Sequence, residues 1–315
     1  MAQSMAETKL DESMIERLAQ DVLAERRRAR RWSIFFRSMA VLLAAVFLVA
    51  LFALSGYGHK VCLDSCTAMV RVDGEIGERG RASAANVVDG LRQAFAYPQV
   101  KGVIVAINSP GGSPVQAGQI YDEIRRLRAK YPDKPAIAVV EDMAASGGYY
   151  VATGADRIYV DKASLVGSIG VIMQGFGFVG TLDKLGVERR VITSGERKGF
   201  LDPFRPLQPD DEKHIRGILD EVHGQFVKAV RDGRGAKLKE SPELFSGLVW
   251  TGARAIELGL ADELGSVDTV ARDVIKAEEV VDFTPEESLP DRVARRLGTV
   301  IAQHISLELR TPALR

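Results

Sequence analysis

The hydrophobic pattern divides the chain into a short apolar run near its start and a long alternating region behind it. Residues 39–54 contain no polar side chain. With their flanks, 38–57, they predict a helix of about 20 residues, which spans a hydrocarbon core of about 30 Å. From residue 68 onward, β-branched apolar runs such as 101–107 and 135–140 alternate with helical patterns. Strands that are apolar on both faces and separated by helices predict an α/β architecture with a largely parallel sheet.

These patterns predict five segments: a polar cytoplasmic segment 1–37, a transmembrane helix 38–57, a linker 58–67, a catalytic domain 68–280 and a helical C-terminal extension 281–315. Six arginines precede the apolar run: Arg26, Arg27, Arg28, Arg30, Arg31 and Arg37. Few basic residues follow it, and this bias predicts a cytoplasmic N-terminus with the domain on the other side of the membrane. A cleaved signal peptide is the alternative. However, the segment before the apolar run is longer than the ordinary n-region of a signal peptide.

Composition narrows the possible functions. Basic and acidic residues number 42 each, so no bulk binding of nucleic acid is expected. The two cysteines, Cys62 and Cys66, lie just behind the apolar run. On the oxidising side of a membrane they could form a small-loop disulfide or bridge two subunits, and a pair of free thiols is the alternative. With only His59 nearby, a zinc site lacks ligands, so we expect no metal or cofactor.

Two glycine-rich stretches follow predicted strands. In INSPGGSP the chain turns into a helix, and backbone N–H groups of Gly111 or Gly112 could hold a developing oxyanion. A plain turn between strand and helix is the other interpretation. EDMAASGGYYVA places Ser146 at the carboxyl end of a strand, where sites of α/β proteins collect, and Gly147 could supply a second donor. Ser146 is therefore either a nucleophile or a small residue at a tight backbone crossing.

Two more polar residues lie in glycine-rich stretches further along the chain. Taken alone, Ser168 in GSIGVI caps a helix, and Lys198 in SGERKGFLDPFRPL is a solvated charge. The stretch VERRVIT predicts a strand near 187–193 that leads to this lysine. The chain has four histidines: His59, His214, His223 and His304. None follows Ser146 closely, and although His214 remains conceivable as a base, a helix surface is the better interpretation of it.

Six blocks resemble, in order, the signal peptide peptidase A family of membrane-bound serine peptidases: VDGEI, INSPGGS, MAASGGYYVA, GSIGVI, SGERKGFLDPF and TGARAIELGLADELG. The resemblance covers roughly 68–275 and fits the family's short form, with one domain behind one anchor. It implies a Clp protease/crotonase-like spiral of ββα units. It also implies a single-pass protein of the bacterial inner membrane with a periplasmic domain.

The resemblance implies a role for six residues: nucleophile Ser146, general base Lys198, lysine-orienting Ser168, and backbone oxyanion donors at Gly111, Gly112 and Gly147. Ser113 is a small departure, because many members have glycine or another small residue there. A lysine with its ordinary pKa of about 10.4 is charged at neutral pH. Burial without a carboxylate partner lowers that pKa, and the neutral amine can then accept the serine proton.

The implied function is that of a serine endopeptidase that degrades membrane-associated peptides, such as cleaved signal peptides or fragments of membrane proteins. The implied partners are these peptides, the lipid bilayer and other copies of the chain. The resemblance suggests a ring-shaped homo-oligomer whose subunits share active sites. Two alternatives use the same fold. One is an acyl-CoA hydratase or isomerase with a glutamate such as Glu141 in its pocket, and the other is a non-catalytic membrane scaffold.

Overall fold

The computed structural model describes residues 30–49, 62 and 64–285. They belong to two compact units, one ending at His59 and the other beginning at Lys60. Most of the predicted cytoplasmic segment and the extension beyond residue 285 lie outside the described residues.

Helix α1 (Arg30–Val49) is the described part of the first unit, and it begins earlier than the predicted transmembrane helix. Its mean hydropathy reaches 2.1 and none of it is buried. By length and composition it can cross a membrane, a test that a signal sequence near an N-terminus also passes. Residues 50–57 of the predicted span lie outside the described residues.

The second unit alternates strands and helices. The strands are β1 (Cys66–Asp73), β2 (Val100–Ser109), β3 (Ala136–Ala145), β4 (Arg157–Val160), β5 (Leu165–Gly167), β6 (Val249–Thr251), β7 (Glu263–Leu264) and β8 (Val280–Asp282). The helices are α2 (Ala84–Ala96), α3 (Pro114–Lys130), α4 (Gly147–Ala152), α5 (Val179–Leu185), α6 (Pro209–Arg234), α7 (Gly252–Glu257) and α8 (Val267–Thr269). Short 3₁₀ turns follow α6, and a π-helical turn, Val270–Ile275, continues α8.

One sheet organises this unit, with the strand order β6-β5-β3-β2-β1-β8. All of its strand pairs are parallel except β5 with β6. The long strand β3 pairs first with β4, over Ile137–Val140, and then with β5, over Met143–Ala145. The predicted α/β class with a largely parallel sheet is confirmed, and β1 and β8 extend slightly beyond the predicted ends of the domain.

Both faces of the sheet are covered, as continuous apolar strands require. On one face Val70, Val105 and Val140 pack in the main core with residues of α2, α3 and α4. On the other face Met69, Ile104 and Val139 belong to a smaller core with the π-helical turn after α8. The chain enters α2 and α3 at serine caps, since Ser83 accepts from the N–H of Asn86 and Ser113 from that of Gln116.

Residues 171–207, which we call the arm, differ from the rest of this unit. The arm contains α5 and otherwise extended or turn segments, and no residue in this fully described stretch is buried. The strand predicted near 187–193 is wrong, because these residues have no strand beside them to complete their hydrogen bonds. Instead Ile192 is 99% exposed.

Candidate active site

Ser146 stands at the junction of β3 and α4 in a rare backbone conformation. Its φ of 51° and ψ of −122° lie outside the regions that most side chains tolerate, at a cost of about 1–3 kcal/mol. Two hydrogen bonds hold the junction: Ser146 N–H donates to Gly167 O at 2.8 Å, and Tyr150 N–H donates to Ser146 O at 3.0 Å. The residue is half-buried. Strain of this kind clusters at functional sites and is not needed to pack a small side chain.

Ser168 occupies the matching position on the neighbouring strand. Ala145 of β3 pairs with Gly167 of β5, so the two serines follow paired residues at the carboxyl ends of adjacent parallel strands. Ser168 also has a positive φ, 52°, and its N–H donates to Leu248 O at 2.7 Å. The structure therefore brings Ser146 and Ser168 to the same edge of the sheet, with nearly the same positive φ.

The glycine turn between β2 and α3 packs directly against Ser146. A Cβ atom on Gly111 would lie 2.7 Å from Ser146 Cβ and 2.8 Å from Gly147 N. Real Cβ atoms do not approach other atoms this closely, so the contact requires glycine at position 111. Gly147 begins α4, where an N–H has no partner within the helix. Backbone donors from the turn and from α4 thus lie beside the candidate nucleophile.

Lys198 lies elsewhere, in a turn of the arm. Its N–H donates to Gly195 O at 3.2 Å, and its side chain is exposed. Among the described residues, no hydrogen bond joins the side chains of Lys198, Ser146 and Ser168. The burial expected for this lysine is therefore not provided by the described residues of the chain.

A cavity of about 570 Å³ separates the turn around Lys198 from the start of α6. It is lined by Arg197, Phe200, Asp210, Asp211, Lys213, His214 and Gly217. Arg197 donates to Asp210 Oδ2 at 3.1 Å and to Asp211 Oδ1 at 3.2 Å, and these hydrogen bonds raise its pKa. His214 meets the Phe200 ring edge-on at 5.9 Å between ring centroids. In the described chain it makes no contact with Ser146 that would support a role as its base.

Glu141 is already engaged in an ion pair. Arg71 Nη1 lies 3.1 Å and 3.2 Å from its two carboxylate oxygens. Arg71 also approaches Asp282 at 3.5 Å. A glutamate held by an arginine is poorly suited to the proton transfers of a hydratase, so this arrangement gives the hydratase alternative no support.

The two cysteines form a disulfide within the chain. Cys62 and Cys66 are bonded, with their Cα atoms 5.7 Å apart, and both side chains are buried. The bond connects Cys62, within the predicted linker 58–67, to Cys66, the first residue of β1. Disulfides persist in oxidising compartments and are rare in the cytosol.

Sequence reasoning missed two residues that shape the site. Ser109 accepts a hydrogen bond from Gly111, and Ile76 forms an isolated parallel bridge with Gly112. A serine two residues before a glycine is a local signal for a side-chain-to-backbone turn and could have revealed the first contact. The bridge to Ile76 has no comparable local signal, because it joins residues distant in sequence.

Comparisons with known proteins match the chain to peptidases. The model of Peptidase family S49 matches residues 128–281, a range that contains Ser146, Ser168 and Lys198. A protein of Synechocystis sp. named as a protease is 34% identical over 199 residues, covering 63% of this chain and 69% of that protein. A protein of Enterococcus faecium named for signal peptide peptidase SppA is 31% identical over 229 residues, covering 72% and 66%.

A further relative bears a different name. The Na(+)/H(+) antiporter NhaA of Brucella melitensis is 45% identical over 204 residues, which cover 63% of this chain and 28% of that protein. A protein of Brucella abortus with the same name is also matched over 28% of its length. The chain thus spans less than a third of these two relatives, and the antiporter name describes those proteins.

Proposed function

Because the chain belongs to peptidase family S49, we propose that it is a serine endopeptidase with Ser146 as nucleophile and Lys198 as general base. The observation that carries the proposal is the strained backbone of Ser146, pressed against a glycine turn at the carboxyl end of β3. A serine that only fills space does not need this conformation. A scaffold without catalytic activity would need neither the strain nor the lysine.

The proposed reaction proceeds through an acyl-enzyme. Ser146 Oγ attacks the peptide carbonyl carbon while the neutral Lys198 amine accepts its proton. Backbone N–H groups of Gly147 and of the Gly111–Gly112 turn stabilise the oxyanion, and each such donor contributes about 100- to 1000-fold to rate. The lysine ammonium then protonates the leaving amine, and water releases the acyl group by the same route. Ser168 is proposed to orient the lysine amine beside Ser146.

A second copy of the chain supplies the missing burial in this proposal. The arm presents large apolar side chains to solvent, among them Ile172 (80% exposed), Phe176 (82%) and Ile192 (99%). Such a group of exposed apolar residues is typical of an interaction surface. We propose that the arm packs on a neighbouring subunit and carries Lys198 into the site of that neighbour. Repeated around an axis, this contact closes a ring of subunits with shared active sites.

The proposed location is the bacterial inner membrane, with a cytoplasmic N-terminus and a periplasmic domain. Three features support it: the apolar helix α1, the arginines before and within its start, and the Cys62–Cys66 disulfide. Trp32 lies near the start of α1, packed with Phe35 and Phe36, and tryptophan is enriched at membrane interfaces. The proposed substrates are peptides in or near the bilayer, such as cleaved signal peptides and fragments of membrane proteins.

Labelling by a serine-reactive fluorophosphonate tests the proposal. The detergent-solubilised wild type should be labelled, whereas Ser146→Ala and Lys198→Ala should not be. Ser83→Ala is the matched control, because Ser83 is a buried serine whose hydroxyl accepts the N–H of Asn86 at the start of α2. Labelling of Ser146→Ala at the wild-type level would exclude the proposed nucleophile. Absence of wild-type labelling at every pH would favour a hydratase or a scaffold.

A further inference from the structure

Ser109 is the last residue of β2, and its hydroxyl has a defined partner beneath the candidate site. The residue is fully buried, and its Oγ accepts the N–H of Gly111 at 3.1 Å. Its backbone also lies against α4, since a Cβ atom on Gly148 would come within 2.9 Å of Ser109 O. Ser109 therefore links the glycine turn to the segment that follows Ser146.

Ile76 holds the other side of the same turn. Its N–H donates to Gly111 O at 2.8 Å, and its carbonyl accepts the N–H of Ser113 at 2.8 Å. These two bonds form the parallel bridge between Ile76 and Gly112. In such a bridge the bonds come from the residues that flank Gly112, so its own N–H is not directed at Ile76.

One N–H group of the turn has no hydrogen-bond partner among the described residues. Pro110 has none, Gly111 donates to Ser109, and Ser113 donates to Ile76. Gly112 is left as the turn residue whose N–H has no partner in the described part of the chain. Its nitrogen is close to the start of α4, because a Cβ atom on Gly147 would lie 3.3 Å from Gly112 N.

We propose that Ser109 is a positioning residue for the oxyanion hole. By holding the N–H of Gly111, its hydroxyl orients the turn so that Gly112, and not Gly111, donates together with Gly147 to the oxyanion. This inference rests on the proposed peptidase function and assigns its donors. Ser109 does not contact substrate and acts only through the geometry of the turn.

Peptidase kinetics of the full chain in detergent test this role. Ser109→Ala should lower kcat by about 10-fold or more while KM changes by less than about twofold, because an oxyanion donor acts mainly in the transition state. Affinity for a peptide aldehyde, whose adduct carries the oxyanion, should fall in parallel with kcat. Ser109→Thr keeps the hydroxyl and should restore most of the activity. Ser109→Cys is nearly isosteric but a poor acceptor, and should behave like Ser109→Ala.

Ser83→Ala is the matched control, because it also removes a buried hydroxyl that accepts a backbone N–H, at 3.3 Å from Asn86 N. It should keep wild-type kcat even if its melting temperature falls as much as that of Ser109→Ala. Wild-type kcat in folded Ser109→Ala or Ser109→Cys would overturn the positioning role, as would a loss confined to KM. A wild-type protein without peptidase activity or aldehyde binding would instead contradict the proposed function.

Discussion

The carboxyl end of the sheet and the arm carry the two halves of the proposed dyad, and they are built in opposite ways. Around Ser146 the strands, the glycine turn and α4 fix the backbone through hydrogen bonds and contacts that leave no room for a Cβ atom at Gly111. The arm buries none of its residues and exposes Phe176 and Ile192. One chain thus fixes the proposed nucleophile and its proposed oxyanion donors but leaves the proposed base in solvent.

The two ends of α6 repeat this contrast. At its start, the exposed Arg197 pairs with the exposed Asp210 and with Asp211, whose side chain is 14% exposed. At its end, Arg234 and Asp262 form a buried pair at 2.9 Å. Exposed pairs contribute about 0–1 kcal/mol each, whereas breaking a buried pair costs about 3–5 kcal/mol. Helix α6 is therefore held firmly at its end near the sheet and weakly at its end near the arm. Weak attachment of the arm is expected if the arm packs on a second subunit, as proposed.

The largest expected effect is the loss of the base. Lys198→Ala should lower kcat for peptide hydrolysis by about 10⁴-fold or more, as removal of a base does in serine peptidases. The melting temperature should not fall, because Lys198 is exposed within its own chain and its proposed burial against a neighbouring subunit would cost stability. Lys184→Ala removes another exposed lysine of the arm, at the end of α5, and should keep wild-type kcat. Equal activity of Lys198→Ala and the wild type would disprove its role.

Disrupting the apolar surface of the arm should have the next largest effect. Ile192→Asp places a charge in the proposed subunit contact, and we expect dissociation to monomers with at least about a 10-fold loss of activity at equal concentration. Light scattering coupled to gel filtration measures the assembly. Leu264→Asp is the control, since Leu264 is 56% exposed in β7, away from the arm. An active Ile192→Asp monomer would contradict the shared site.

The buried end of α6 predicts a pH dependence of stability. Burial alone would raise the pKa of Asp262, but hydrogen bonds from Arg234, Lys237 and the Ile158 N–H lower it from 3.8 to about 2. The folded state thus holds its proton less tightly than the unfolded state, which stabilises the protein by about 2 kcal/mol above pH 4. This contribution should disappear as the pH falls from about 4 to about 2.

Urea unfolding of the wild type and Asp262→Asn measures that contribution. At pH 7 the variant should be less stable by about 3 kcal/mol, because Arg234 loses its partner in a buried site. The difference in unfolding free energy between the wild type and Asp262→Asn should become smaller below pH 4. A difference that stays constant from pH 7 to pH 2 would show that the Asp262 charge does not stabilise the fold.

Substitutions at the exposed end of α6 should have the smallest effect on activity and stability. Arg197→Ala removes both ion pairs to Asp210 and Asp211, and we expect kcat to fall by no more than about 5-fold, with an unfolding free energy within about 1 kcal/mol of the wild type. Arg197→Lys keeps the charge, and its kcat should lie between those of Arg197→Ala and the wild type. A loss as large as that of Lys198→Ala would mean that Arg197 has a direct catalytic role.

The sheet and the arm also differ in how well the sequence predicts them. The β-branched runs of β2 and β3 predict buried parallel strands because both of their faces are covered within the chain. The position of Ser146 at the end of such a strand follows from the same pattern. VERRVIT has the composition of a strand, yet a strand also needs a neighbour with which to pair, and the described part of the chain offers none there.

The site itself was predictable in part. The sequence INSPGGSP predicts a glycine turn between strand and helix, but the bridge to Ile76 joins segments whose contact depends on the folded sheet. Whether Lys198 is buried depends on the surroundings of its side chain, which a single sequence does not specify. It depends on what covers the arm, and in the proposed assembly that is another copy of the chain.

Complementation between two inactive chains tests the central claim most directly. Ser146→Ala and Lys198→Ala, expressed with different tags and purified as mixed oligomers, each carry the half of the dyad that the other lacks. If each site takes its serine and its lysine from different subunits, random mixing should restore about a quarter of wild-type activity. Mixed oligomers that contain both chains and remain as inactive as either variant alone would contradict the account.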